Sequence, residues 1–127
     1  MTKETYNILK RMEERPAMWL GECTLKALSS FLMGYQSGLT DKGIDEHILP
    51  TFEFFEWIKN KLGYYESTAG WANMILASTM GLDPKNIDWD SYDINVSSIQ
   101  HNTSFKKFYE LLEDYMNEKT ECNRNKK

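Results

Sequence analysis

The chain has 127 residues, enough for one domain with a buried core, and its 41% hydrophobic and 13% aromatic content excludes a disordered chain. The formal net charge of −4 is uneven, because residues 1–117 carry 11 basic and 17 acidic side chains and the last ten carry four basic and two acidic ones. An acidic body disfavours nucleic acid and suits a basic protein partner, although ordinary solubility explains the same charge.

The first predicted helix covers residues 3–14, where apolar side chains recur every three residues among charged ones. Pro16 ends this helix, because the residue before a proline is displaced from helical geometry. The recurring side chains are Tyr6, Leu9 and Met12.

The string RPAMWLG, residues 15–21, predicts a joint between two helices. Met18 and Trp19 are expected to fill the core at this joint, and Gly21 to free the backbone before the next helix. For Arg15, a salt bridge across the joint is favoured over a ligand contact.

The second predicted helix covers residues 24–38, with Thr24 as its cap. Gly34 and Gly38 lie four residues apart and are small enough to let another helix approach closely. One face is apolar and consists of Leu25, Leu28, Phe31, Leu32, Tyr35 and Leu39.

Three further helices are predicted, at residues 51–62, 68–80 and 104–117. Residues 82–101 lack a clear period, so the choice between a helical turn and a strand stays open there. The fold class is therefore all-α: a single compact domain of about five helices over residues 1–118, followed by a polar tail, residues 119–127, for which disorder is expected.

The string RPAMWLG is also close to RPGMYIG, which opens the ATP-binding domain of the DNA gyrase B subunit and its relatives. There, the next helix carries a catalytic Glu and a metal-binding Asn, and the corresponding helix here, TLKALSSFLMGYQSGL, has neither. No Gly-rich phosphate loop replaces them. This comparison excludes the ATPase.

Other chemistry has equally little support in the sequence. His47 and His101 both lie in predicted loops, where solvated imidazoles are expected rather than catalytic ones. Cys23 and Cys122 form neither a CxxC pair nor a metal-ligand spacing with a histidine. We therefore expect no enzyme, no cofactor and no metal.

The string IDWDSYD, residues 87–93, combines carboxylates with large aromatic rings in a segment without helical period. In one interpretation its tryptophan anchors the loop to the core. In the other the segment is a protein-binding patch, with aromatic rings as the main contacts and carboxylates that attract a basic partner. The candidate patch consists of Asp88, Trp89, Asp90, Tyr92 and Asp93.

The chain has no apolar run long enough for a signal peptide or a membrane helix, so a cytoplasmic location without membrane association is expected. A disulfide between the two cysteines is not expected in a reducing compartment.

With the helices placed, the chain resembles a family of small bacterial cytoplasmic proteins. The shared motifs are RPxM[YW]LG at residues 15–21, [ST]LxxLxxFLxGY at 24–35, GWxx[IM][IL] within 70–76 and FxxF[YF]xLLx[DE][FY] at 105–115. Ala17 replaces the usual glycine of the first motif, and the segment 82–103 is longer than usual. Most motif positions are expected to be structural, namely Arg15, Pro16, Met18, Trp19, Gly21, Tyr35, Gly70 and Trp71.

Members of this family are similar to the immunity proteins encoded beside secreted polymorphic toxins. The resemblance therefore implies a protein that binds and neutralises a cognate toxin without catalysis, with a basic toxin domain as the partner. The alternative is a small self-associating structural or regulatory helical protein. An exposed apolar surface on the predicted helix 51–62 would favour that alternative.

Overall fold

The computed structural model describes residues 3–48, 52–64 and 69–124, and within these ranges the chain forms six helices and no strand. In chain order the helices are α1 (Lys3–Glu14), α2 (Pro16–Leu20), α3 (Leu25–Asp41), α4 (Phe52–Leu62), α5 (Trp71–Thr79) and α6 (Ser98–Arg124). They share one hydrophobic core, which confirms the predicted all-α single domain. Among the helices described, none combines the length and the apolar character needed to cross a membrane.

The short helix α5 lies at the centre of the fold, because it packs against α3, α4 and α6. It begins at Trp71, three residues later than predicted, and Gly70 is its N-cap. Its apolar residues surround the helix rather than form one stripe, as expected for a helix with neighbours on several sides. The buried ones are Trp71, Met74, Ile75, Leu76 and Ala77.

An aromatic cluster joins α4, α5 and α6. The ring of Phe54 on α4 lies 5.1 Å from Tyr115, 6.1 Å from Phe108 and 6.5 Å from Trp71, each in an edge-on arrangement. Edge-to-face contacts of this kind add to the free energy gained by burying the rings. The cluster fixes the centre of α4 against both of its neighbours.

The joint between α1 and α3 differs from the prediction, because it contains a short helix. Pro16 follows the end of α1 and begins this five-residue helix, α2. Gly21 ends α2 with a φ of +81°, a left-handed conformation that costs glycine little, and its N–H donates to Ala17 O at 2.8 Å. The Thr24 hydroxyl accepts from the N–H of Ala27 at 3.1 Å. The predicted roles of Gly21 and Thr24 are thus confirmed.

The predicted core position of Met18 and Trp19 is wrong. Met18 is 76% exposed, Trp19 is 38% exposed, and α2 buries no residue. The side chains of Leu20 and Cys23 pack against the core here instead. Because α2 is a single short turn at the edge of the fold, its outer side faces solvent, where the Arg11 guanidinium lies 5.4 Å above the Trp19 ring.

The last helix is longer at both ends than the predicted 104–117. At its start, Ser97 and Gln100 form reciprocal bonds: the Gln100 N–H donates to Ser97 Oγ at 3.1 Å, and the Ser97 N–H donates to Gln100 Oε1 at 3.0 Å. This is a capping box, which begins a helix even where the first turn is polar. His101 therefore lies on α6 and not in the predicted loop.

At its other end, α6 continues to Arg124, through most of the polar segment for which the sequence predicts disorder. Contacts with α4 explain the extension, since Lys119 pairs with Glu53 and Glu118 accepts a hydrogen bond from the Trp57 indole. Residues 125–127 and the side chain of Cys122 lie outside what the structure describes.

Candidate functional site

A groove of about 820 Å³ lies between α3, the start of α5 and the loop that contains IDWDSYD. It brings together Trp89, Asp90 and Asp93 of the predicted patch with Gly70 and Trp71 of the GWxx[IM][IL] motif. From α3 the lining includes Leu25, Lys26, Ser29, Ser30, Leu32, Met33, Gln36 and Ser37. From the rest of the described chain it includes Ile48, Ala69, Ala72, Asn73, Leu76 and His101.

The IDWDSYD segment forms consecutive turns, fixed by the carboxylate of Asp88. This carboxylate accepts the Asp90 N–H at 3.2 Å and the Ser91 hydroxyl at 2.7 Å. The hydroxyl of Ser91 and then the amide of Asp90 lower the pKa of Asp88, because both hydrogen bonds favour the ionised form. Asp88 therefore acts within the loop, as Asp side chains commonly do in turns.

The two aromatic residues of the segment anchor it to the core. The Trp89 ring, partly buried, lies 5.9 Å from Tyr64 and 5.3 Å edge-on from Tyr92. The Tyr92 hydroxyl donates to the side-chain oxygen of Asn73 on α5, and burial raises the pKa of Tyr92. Trp89 thus has the anchoring role that the sequence allows, and the pair holds the loop beside the groove.

The anchored loop leaves two carboxylates in the groove wall. Asp90 is exposed and Asp93 is partly buried. Across the ranges that the structure describes, neither has a Lys, Arg or His nitrogen within 4.0 Å of its carboxylate. Lys26 is the lysine in the lining, and no described carboxylate lies within that distance of it either. Among the described lining residues, the groove therefore has one more acidic than basic side chain, and none of these three charged groups has a described ion-pair partner.

The opposite wall contains polar residues that the sequence analysis did not single out. The Gln36 side chain donates to Glu46 O at 3.0 Å and accepts from the Ile48 N–H at 3.1 Å, so it fixes Ile48 beside α3. Asn73 has a similar role, because its amide donates to Ala69 O at 2.7 Å. For Asn73 the available signal was a polar residue within the apolar sequence WANMILA, whereas Gln36 lies in the mixed sequence GYQSGLT and gives no such signal.

The residues Gly70 and Trp71 shape the end of the groove at α5. Gly70 has a φ of +93° and a ψ of 162°, a combination that residues with a Cβ rarely adopt. The turn directs the chain into α5, where the buried Trp71 ring lies 5.0 Å from Phe108. Gly70 thus shapes the turn and Trp71 packs in the core, and both residues also line the groove.

The remaining motif residues lie elsewhere. Arg15, Met18, Trp19 and Gly21 lie in the segment 15–21 around α2, called the α2 edge from here on. The exposed Tyr35 stacks on Phe31 at 6.2 Å and does not line the groove.

A second cavity, of about 530 Å³, lies between α1, Pro16 and α6. Lys10 in its wall is paired with Glu13 at 2.8 Å and Glu113 at 3.3 Å. Cys23 also lines this cavity as a free thiol, and burial raises its pKa. A raised thiol pKa lowers the thiolate fraction and hence the reactivity.

The histidines offer no assembled catalytic group. His47 is exposed, with Nε2 3.6 Å from the Asp45 carboxylate, as expected for a solvated loop residue. His101 is partly buried on α6, which corrects the expectation of a solvated imidazole. Its Nδ1 is buried and finds no hydrogen-bond partner among the described residues. Nor do the described residues contain a group of three or more His, Cys, Asp or Glu side chains placed to hold a metal ion.

Comparison with known proteins identifies no relative. No protein-family model matches the chain, no curated protein matches it, and no solved structure matches it. The resemblance to toxin-immunity proteins therefore stays a prediction from the motifs.

Proposed function

We propose that this chain is a non-catalytic protein-binding module that recognises a basic protein through the groove beside α3 and α5. The observation that carries the proposal is the pair of carboxylates, Asp90 and Asp93, which stand in the wall of the groove without a cation partner among the described residues. Asp93 is partly buried, and a carboxylate that is partly removed from water is normally compensated by a cation. The pair of carboxylates beside an apolar floor therefore fits a surface completed by another molecule.

The anchoring of the loop supports binding rather than catalysis. Trp89 packs on Tyr64, Tyr92 bonds to Asn73, and Asp88 fixes the turns, so the carboxylates are held before the partner arrives. A preorganised surface loses little conformational entropy on association. The acidic body adds long-range attraction, which raises association rates with a basic protein by about 10- to 1,000-fold.

Apolar surface beside the groove adds to the support. Met33, in the groove wall, is 69% exposed, and Ile94, which directly follows Asp93, is 72% exposed. Exposed apolar residues next to charged ones are a common feature of protein interfaces. Together with the resemblance of the motifs, this surface supports an immunity protein that covers a basic toxin domain.

The test is direct binding to the protein encoded beside this chain's gene. We expect co-purification, and an association rate that falls by about tenfold or more from low to high salt, since screening weakens the attraction. Asp90→Asn should slow association more than the matched change Asp114→Asn on the exposed side of α6, which removes the same charge away from the groove. Absence of binding to every neighbouring product would contradict the immunity role.

Self-association is the second candidate, because the outer face of α3 is open. A Cβ placed on Gly34 or Gly38 meets no atom within 4 Å, so no described part of the chain covers these positions. An exposed apolar surface on α4 would also favour this candidate, but Phe54 and Ile58 of that helix are buried.

Light scattering over a range of concentrations tests self-association. A dimer formed through α3 should be lost in Gly34→Leu, which blocks close helix approach, and kept in the control Asn60→Leu on the exposed side of α4. A monomer at all concentrations would exclude it.

A further inference from the structure

We infer that the groove binds an arginine side chain, presented by the basic partner, with its guanidinium against Asp90 and Asp93. The inference deepens the proposed function, on which it rests for the source of the arginine. Its basis is the combination of an apolar floor, unpaired carboxylates and a tryptophan in the same wall.

The size and floor of the groove fit a long side chain. Its volume of about 820 Å³ lies within the range of roughly 300–1,000 Å³ found for ligand sites. The lining includes buried apolar side chains of α3 and α5, beside which the methylene groups of an arginine side chain would lie. They are Leu25, Leu32, Trp71 and Leu76.

The walls select a cation of planar shape. Asp90 and Asp93 provide carboxylate oxygens, and a guanidinium presents a rigid fork of N–H donors that bonds to carboxylates in pairs. Trp89 lines the same wall, and a guanidinium stacks favourably on a tryptophan ring. An ammonium is more strongly hydrated and has no plane to stack, so lysine should bind less well.

Lys26 determines which part of the partner enters. It belongs to the lining and is exposed, and no described carboxylate lies within 4.0 Å of it. Its charge disfavours a cation at the α3 wall and directs the guanidinium to the loop wall. Backbone carbonyls or an acidic side chain next to the arginine then suit the Lys26 side.

The first experiment uses small probes on the full chain: N-acetyl-arginine amide, the lysine analogue, and N-acetyl-citrulline amide, which has nearly the same shape without charge. Nuclear magnetic resonance of the tryptophan indole N–H groups separates the groove from the rest. Trp71 and Trp89 line it, whereas Trp19 and Trp57 do not. We expect saturable shifts of the two groove tryptophans only, with a Kd of about 1 mM for the arginine probe.

Variants then assign the binding. Asp90→Asn should weaken the arginine probe by about tenfold or more, because a hydrogen bond to a charged group is lost, while Asp114→Asn leaves binding unchanged. Ser37→Trp, on the exposed rim of α3, should block the groove by size without altering the carboxylates. Unchanged melting temperatures, and unchanged indole signals of Trp19 and Trp57 outside the groove, identify the variants that remain folded.

The outcomes separate this inference from the proposed function. Equal shifts from the arginine and citrulline probes, no saturable shift at all, or arginine binding that survives both Asp90→Asn and Ser37→Trp would overturn the inference. A partner protein that binds these variants as tightly as the original chain would overturn it too, and would leave the binding function intact. Arginine binding that depends on Asp90 without any protein partner would support the inference and count against the proposed function.

Discussion

Two segments of this chain, RPAMWLG and IDWDSYD, each place a tryptophan outside the long helices, and the two rings differ in their burial and in their contacts. Trp19 is 38% exposed at the edge of α2, and its described ring contact is with the Arg11 guanidinium. Trp89 is partly buried and contacts the rings of Tyr64 and Tyr92. The burial of Trp89 thus comes from aromatic neighbours that pack on its ring, whereas the position of Trp19 between two helices does not bury it.

The comparison also separates two uses of a short segment. The conformation of the α2 edge is determined by its backbone, through Pro16 at its start and the left-handed Gly21 at its end. The loop 87–93 is tied to the core by side chains, through Trp89 and the bond from Tyr92 to Asn73. Substitutions of side chains should therefore affect the loop more, and substitutions that change backbone freedom should affect the α2 edge more.

The largest expected effect is the contrast between Trp89→Ala and Trp19→Ala. Because Trp89 is only partly buried, its removal should cost about 2 kcal/mol, less than the 3–5 kcal/mol of a fully buried ring. Trp19→Ala should cost less than about 1 kcal/mol, since one surface cation–ring contact is lost. Unfolding in denaturant measures both, and equal losses would contradict the assigned difference.

The backbone of the α2 edge is tested by Gly21→Ala. A residue with a Cβ at a φ of +81° is strained, so the variant should lose about 1–2 kcal/mol of unfolding free energy. The matched change Gly34→Ala, in the open helical face of α3, should instead stabilise the chain by about 0.5–1 kcal/mol. Thermal unfolding measures both changes in stability. Changes of opposite sign in the two variants would identify the backbone conformation as the cause, whereas a loss of stability in both would point to an unrelated effect of the added methyl group.

The anchoring of the loop is tested by Tyr92→Phe, which removes the hydroxyl that bonds to Asn73 and keeps the ring. The expected loss is about 1 kcal/mol, the usual net value of one hydrogen bond. Tyr35→Phe is the control, because the Tyr35 hydroxyl has no hydrogen bond with the described residues, and its stability should not change. Faster amide exchange at residues 88–93 in Tyr92→Phe alone would locate the effect in the loop.

The sequence predicts α1, α3 and α4 well, because each has a continuous apolar stripe and a nearby proline, threonine or glycine that limits it. It misses α2, since five residues are too short to show a helical period. It misses the start of α6 because the capping box at Ser97 precedes a polar first turn, and its end because the stabilising partners Glu53 and Trp57 are about sixty residues away in sequence.

The groove is harder to predict than the helices. The pattern of IDWDSYD identifies the acidic loop, but its position beside α3 depends on Asn73 and Tyr64, which give no sign of this role in the sequence. The same dependence on distant contacts explains why the residues next to Trp19 and Trp89 in the sequence do not show which of the two tryptophans is more buried.

The smallest expected effect is the pH dependence of the contact between α1 and α6. Glu113 on α6 accepts a hydrogen bond from the Tyr6 hydroxyl and lies 3.3 Å from the Lys10 ammonium, and the bond from Tyr6 is the main reason why its pKa is lowered. A carboxylate with a lowered folded pKa stabilises the fold above its unfolded value of about 4.3. This contribution is lost as the pH falls through the folded pKa.

Glu113→Gln should therefore cost less than about 1 kcal/mol at neutral pH, because the pair is close to the surface. The difference from the unmodified chain should shrink below about pH 4, where the carboxyl group becomes protonated. Denaturant unfolding at several pH values measures this, with Asp114→Asn as the control without a described partner. A difference that stays constant over this pH range would show that Glu113 acts through shape alone, and that its charge does not hold α1 against α6.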